Sequence, residues 1–263
     1  MSVKAKLADV LLELPSRSEL VYRLARRIVN RRQGENDGDI TRNGELRLLR
    51  AVLPNARVVF DVGANVGDWT EAALAIQPKL QIHCFEPSPA TFKVLASHRF
   101  PADVHLNPVG LGAEAGMVDF FVFGEAMGAN SLYNRQGTDA VVQRKETVSI
   151  TTLDDYAVTR NVAHIDFVKV DVEGHEVAVI KGARRLLDQG RIGMLQFEYG
   201  GSYIDARVLL KDIYDLVSAA RARYHFFKIM PHGLQPMPEY RQMFENFQYA
   251  NFLIVRDGIE VPR

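Results

Sequence analysis

From Arg57 onward, short apolar runs rich in β-branched and aromatic residues alternate with longer stretches whose apolar positions recur every three or four residues. The short runs predict strands at 58–61, 81–86, 104–109, 167–171, 194–198, 225–229 and 251–255. Runs this uniformly apolar suit strands buried on both faces, and the stretches between them suit helical crossovers. The pattern therefore predicts an α/β domain, a mostly parallel sheet covered by helices on both sides. Between the third and fourth strands the pattern changes. Residues 118–123 and 148–150 predict an inserted β-hairpin around a loop, 124–143, rich in Gly, Asn and Gln.

Ahead of this domain, residues 5–32 place Leu7, Val10, Leu11, Leu14, Val21, Leu24 and Ile28 at near-helical spacing, interrupted by Pro15. Two short helices follow, the second made basic by Arg17, Arg23, Arg26, Arg27, Arg31 and Arg32. The expectation is a solvated arginine face on a helix packed against the main domain. Attraction to an anionic membrane surface or a polyanionic partner is the alternative. A Gly-, Asn- and Asp-rich stretch, 33–44, reads as a loop. The chain divides into an N-terminal helical extension, 1–50, and one main domain, 51–263.

Charge changes the picture little. Lys plus Arg and Asp plus Glu each number 32, so no overall field gathers nucleic acid, and none is expected as a partner. The single cysteine, Cys84, excludes an intramolecular disulfide and lies in an apolar run as an inert core residue. No apolar run approaches the ~20 residues of a membrane span, and no secretory start is present. The expectation is a cytoplasmic protein.

Chemistry concentrates where the first strand turns into a helix, at Asp61-Val62-Gly63-Ala64-Asn65-Val66-Gly67. Gly63 permits a tight turn, Gly67 a close approach of backbone to ligand, and the helix behind offers free N–H groups. The Gly-x-x-x-Gly spacing departs from the dinucleotide fingerprint and lacks the Lys of a P-loop. A better fit is a ligand with a carboxylate, an ammonium and a ribose. Asp61 serves the ammonium side and the loop amides the carboxylate. Glu86, nineteen residues after Gly67 and held at a strand tip by Pro87 and Pro89, accepts from both ribose hydroxyls.

Those residues, with Phe85-Glu86-Pro87, Asn130-Ser131-Leu132, Thr152-Leu153-Asp154, Val168-Lys169-Val170-Asp171-Val172-Glu173-Gly174-His175-Glu176, Ile180-Lys181-Gly182-Ala183, Phe197-Glu198 and Asn251-Phe252-Leu253-Ile254-Val255, resemble the FkbM family of S-adenosylmethionine-dependent methyltransferases. The likeness covers about two hundred residues from Arg57. It implies a Rossmann-like class I methyltransferase fold, a seven-stranded sheet whose last strand runs antiparallel. It also implies methyl transfer to oxygen, a hydroxyl of a sugar or natural-product acceptor. The segment after the third strand, with Asn107 and Gly110, is where adenine lies in related enzymes.

The second constellation, Asp171-x-Glu173-Gly174-His175-Glu176, follows the fourth strand, at the end of the sheet where ligands bind. Asp171 is the first choice for orienting the acceptor hydroxyl or ligating a metal. His175 is the alternative base. Glu173 caps the helix or joins a metal, and Glu176 is structural. Lys169 shares a face with Asp171, and a buried lysine needs a partner, so a Lys169–Glu198 pair is expected near the site floor, structural or catalytic. Asp171, Glu173, His175 and Glu198 have the ligand types for a divalent, oxygen-preferring metal, with no diagnostic spacing. Residues 129–133 form a candidate lid. Two rivals stand beside the methyltransferase. An NAD-dependent oxidoreductase is weakened by the missing third glycine. A non-catalytic adenosylmethionine-binding module is weakened by the presence of Asp61, Gly63, Gly67 and Glu86 together.

Overall fold

The computed structural model describes residues 18–124, 131–133 and 142–261. Eight strands build the main sheet: β1 (Val58–Val62), β2 (Gln81–Phe85), β3 (Val104–Asn107), β7 (Ile165–Val170), β8 (Ile192–Tyr199), β9 (Tyr224–Met230), β10 (Gly233–Pro236) and β11 (Ala250–Arg256). Their spatial order is β10-β9-β11-β8-β7-β1-β2-β3. Pairings from β3 through β8 are parallel, while β11 runs antiparallel to both β8 and β9. Seven strands thus stand where the pattern puts them. The eighth, β10, is an antiparallel edge addition whose short, half-polar Gly-Leu-Gln-Pro run carries no strand signature.

Apolar continuity in the strands has the expected cause. Val59 and Phe167 face one core with Trp69 and Leu49, while Phe60, Val62, Val168 and Val170 face the other with Tyr156 and Ile180. Successive residues alternate between two buried layers, so no position is left for a polar residue without a reason.

The insert forms a second sheet, β4 (Gly110–Leu111), β5 (Gly116–Val122) and β6 (Arg144–Thr151), in the order β4-β6-β5. The third strand of the pattern, expected to run to 109, stops at Asn107. Pro108 has no N–H for the ladder, and the chain swings across to pair Gly110 and Leu111 with β6.

Helix α1 (Glu19–Gln33) ends at Gly34 in a left-handed C-cap, and α2 (Glu45–Val52) follows. Packed into the core through Leu48, Leu49 and Val52, α2 straddles residue 50, so only α1 stands apart. Here the expectation of a helix packed on the main domain fails, because α1 buries none of its residues. The first expected helix, around residues 5–14, lies outside the described residues.

Gly63 is the tightest point of the framework. It has φ +82°, and an added Cβ would lie 1.8 Å from the carbonyl oxygen of Asp171 on the neighbouring strand end. Gly116, on the insert, has open space around it. Gly63→Ala should lose about 2–4 kcal/mol of unfolding free energy in urea, combining left-handed strain with overpacking. Gly116→Ala should be neutral or slightly stabilising.

Candidate functional site

The register of β1 and β7 sets Asp61 directly opposite Lys169, on the same face as Trp69 and Phe167. Asp61 is fully buried there and Lys169 nearly so, and they answer each other. Lys169 Nζ lies 3.5 Å from Asp61 Oδ1 and 3.3 Å from Asp171 Oδ2, and donates to the Gly63 carbonyl at 3.4 Å. Thr70, from helix α3 (Asp68–Ile76), donates to the other Asp61 oxygen at 2.7 Å. Burial opposes the lysine charge, but the fields of Asp171, Asp61 and Glu45 outweigh it and hold the amine protonated.

This corrects the expected Lys169–Glu198 pair. The β7–β8 register puts Gln196 beside Lys169 and Phe197 beside Val170, which carries Glu198 to the level of Asp171 instead. Asp61, expected to serve the ammonium side of a ligand, has no exposed surface. It is fully buried beneath the turn, and its influence on anything bound above passes through Lys169 and the Gly63 carbonyl.

Above this ion group, at the carboxyl ends of the strands, lies a cavity of about 600 Å3. Gly63, Asn65, Glu86, Pro87, Gly110, Asp171, Glu173, His175 and Glu198 all line it, brought together from five segments of chain. Ala64, Gly67 and Asn107 do not. Ala64 is in the core. Gly67 has φ +101° and packs where a Cβ would strike Leu95 and Phe100, which, rather than a ligand, explains the glycine. Asn107 is a buried hydrogen-bond node, donating to the Cys84 and His105 carbonyls and accepting from Tyr156.

At one end of the cavity, Glu86 accepts from the Asn65 and Ser88 amides at 3.1 and 2.9 Å, fastening the first turn to the second strand tip. Burial pushes its carboxyl up to about 7 against those two bonds. Asn65 holds φ +47°, and its side-chain oxygen, like the Ser88 hydroxyl, is buried without a protein partner.

At the other end, the loop after β7 is strained and clamped. Glu173 adopts φ +53° and Gly174 φ +102°. The Glu176 carboxylate, on helix α6 (Glu176–Lys181) and following α4 (Pro89–Leu95) and α5 (Leu153–Thr159), accepts from the Val172 and Gly174 amides, a structural role as expected. Burial takes the His175 imidazolium down to about 4, so the ring is neutral near pH 7. Its Nδ1 lies 3.1 Å from the Tyr133 hydroxyl. Of the candidate lid, Ala129 and Asn130 lie outside the described residues. Ser131 pairs with Phe121 and its hydroxyl donates to the Glu173 carbonyl at 2.8 Å, and Leu132 lines the cavity.

Oxygens of Asp171, Glu173 and Glu198 all fall within 4.8 Å of one another. Burial, with the charges of Asp171, Glu173 and Glu176, raises the Glu198 carboxyl well above the ordinary carboxylate range. Tyr249 and the Gly200-Gly201 pair complete the wall and were missed from sequence. Two glycines directly after the strand that carries Glu198 and ends at Tyr199 were the available signal.

A switch-point sheet with a ligand-sized cavity at its carboxyl edge, bearing an acidic strand tip beside a glycine turn, is of the Rossmann-like α/β class. The chain belongs to the methyltransferase FkbM domain family, which its sequence matches over residues 61–226, and it is a methyltransferase. Hexuronic acid methyltransferase AglP of Haloferax volcanii is 29% identical over 191 residues, 71% of this chain and 73% of that one. The 2-O-methyltransferase NoeI of Sinorhizobium fredii is 27% identical over 175 residues, 61% and 70% of the two chains. The 31-O-demethyl-FK506 methyltransferase FkbM of Streptomyces tacrolimicus is 28% identical over 152 residues, 48% and 58%. Among solved structures, plantazolicin methyltransferase BpumL with SAH aligns over 96% of this chain and 97% of that one, with 9% identity and a TM-score of 0.43, too loose to add weight.

One Tyr-x-x-x-Lys spacing of the oxidoreductase kind does occur, at Tyr224 and Lys228, but on strand β9 away from the cavity. Tyr224 donates to the Leu187 and Ile192 carbonyls and Lys228 pairs with Glu35. Removing the buried ammonium tests the floor of the site. Lys169→Met should cost about 3–5 kcal/mol, because it strands the Asp61 carboxylate. In a double-mutant cycle, adding Asp61→Asn should recover part of that loss.

Proposed function

We propose that the protein moves a methyl group from S-adenosylmethionine to a hydroxyl of a sugar or related natural-product acceptor. One observation carries the reading: a continuous cavity with Glu86 and the glycine turn at one end and Asp171, His175 and Glu198 at the other. The residues present fit the cofactor. The partnerless side-chain oxygen of the cavity-lining Asn65, beside the Glu86 carboxylate, is a group that a donor of the ribose or amino-acid head would satisfy. Gly63, Asn65, Glu86, Pro87 and Gly110 would hold it, with Glu86 taking the ribose hydroxyls. When bound, this cofactor would supply a sulfonium methyl carbon open to an acceptor oxygen, the S–CH3 bond breaking as the O–CH3 bond forms and the thioether leaving with the electron pair.

An alcohol oxygen is a weak nucleophile until its proton has somewhere to go. Asp171, fixed by Lys169 at the cavity floor, orients the hydroxyl. Glu198, when ionised, takes the proton, its affinity for it raised by burial and its acidic neighbours. Burial lowers the proton affinity of His175, whose ring lines the acceptor end. Carboxylates in mutual reach suit an acceptor with several hydroxyls to donate. The named activities of the relatives, on hexuronic acid, at a 2-O position and at a 31-O position, support oxygen as the methylated atom.

A second reading concerns the same acidic group. Asp171, Glu173 and Glu198 have the reach to hold a divalent, oxygen-preferring cation, which would relieve their repulsion as a shared proton does.

Cofactor affinity should follow the titration of Glu86. Ribose hydroxyls donate to the ionised form, so binding lowers its pKa, and affinity rises with pH through the value of about 7. Calorimetry with adenosylhomocysteine should show roughly a tenfold gain between about pH 6 and 8. Glu86→Ala should cost about 1–3 kcal/mol of binding and flatten that profile. For chemistry, a screen of hydroxylated acceptors with labelled methyl donor tests the reaction itself. Glu198→Gln should then lower kcat by about 10²–10⁴-fold, with His175→Ala far milder. In the same assay, an unchanged rate under chelation leaves the shared proton, and a loss restored by Mg2+ assigns a cation.

A further inference from the structure

Helix α1 is an amphipathic helix with nothing on its apolar side. At 100° per residue, Leu20, Leu24, Ile28, Val21, Val29 and Tyr22 follow one another around an arc of about 200°. All six are exposed, Leu20 at 78%, Leu24 at 59% and Ile28 at 60%. Arg23, Arg26 and Arg27 fill the opposite arc, and Arg31 and Arg32, in the last turn, interrupt the end of the apolar arc on long stems that can carry their charges to the headgroups. Five arginines face a single acid, Glu19, which Arg23 already binds at 2.7 Å. In a chain whose total charge is zero, this is a local concentration of one sign.

The helix is not loosely appended. Gly34 turns the chain back against the Ile229 carbonyl, the buried Glu35 pairs with Lys228 at 2.6 Å, and the Asn36 amide donates to the Tyr249 carbonyl. Tyr249 is part of the cavity wall, so the chain directly after the helix is tied to that wall while the helix itself buries none of its residues.

We infer that α1 is a peripheral membrane anchor that lies in the surface of an anionic bilayer, its apolar arc among the acyl chains and its arginines at the headgroups. Charge decides between occupants. A second copy would bring two sets of five arginines side by side. Residues 1–17 carry Lys4, Lys6 and Arg17 against Asp9 and Glu13, so they supply no excess negative charge. An anionic bilayer supplies both the apolar phase and the counter-charge.

Co-sedimentation of the full chain with vesicles tests the assignment. Binding is expected to phosphatidylcholine vesicles containing phosphatidylglycerol, to weaken with salt, and to fall by roughly tenfold or more on phosphatidylcholine alone. Leu24→Glu with Ile28→Glu, and separately Arg26→Glu with Arg27→Glu, should each produce a similar loss while leaving far-UV circular dichroism and Tm unchanged. No sedimentation with anionic vesicles, or sedimentation indifferent to both pairs of substitutions, would overturn the assignment. So would a dimer seen by light scattering that the Leu24→Glu, Ile28→Glu chain dissolves, which would make a second copy the occupant.

Discussion

A buried ammonium holds the site together. Lys169 sits buried in a layer of the sheet that it shares with Phe167 and Trp69 as well as Asp61, and it is bound to the ends of two strands at once. Asp61 and the Gly63 carbonyl belong to β1, and Asp171 to the end of β7. A charge in that position is tolerable only because three oxygens converge on it, and their convergence fixes the relative height of the two strand tips. Both functional ends of the cavity are then measured from the same point. The turn that begins at Gly63 rises on one side, and the Asp171 loop rises on the other.

The neighbourhood of Glu86 shows the same economy at shorter range. Its carboxylate closes the first turn onto the second strand through the Asn65 and Ser88 amides, while burial drives its proton affinity upward. A group held in that tension responds strongly to additional donors, because each one relieves a desolvation already incurred on folding. The left-handed backbone at Asn65 belongs to this arrangement, since it turns the amide toward Glu86 and leaves the side-chain oxygen unanswered.

Local chemistry was readable from sequence, and register was not. Glycines at a turn, prolines after a strand tip and apolar alternation are short-range signals, so Gly63, Glu86 and all seven principal strands could be placed from spacing alone. The partner of Lys169 could not. Period two correctly sends Lys169 and Asp171 to one face, but whether Gln196 or Glu198 stands beside Lys169 depends on a two-residue offset between β7 and β8. Asp61 and Asn107 looked like ligand contacts for the same reason. A polar residue near a strand end reads alike whether it faces a cavity or an internal hydrogen-bond network such as Tyr156–Asn107–Cys84. The exposure of α1 was illegible too, because an amphipathic pattern says that a face wants cover without saying what provides it.

The two ends of the cavity also differ in how they are assembled. The Glu86 end comes from adjacent strands and the tight turn between them, with backbone amides supplying much of the polarity, so few substitutions can alter it without disturbing the sheet. The Asp171 end draws on the β7 loop, the tip of β8, the insert through Leu132 and Tyr133, and Tyr249 ahead of β11. Those contributors are largely side chains on separate connections, each free to change while the ion group below keeps its geometry. Under the proposed reading, substitutions at the Asp171 end can therefore reshape the acceptor pocket while the Glu86 end keeps its geometry, a division of labour that lets one fold serve different substrates.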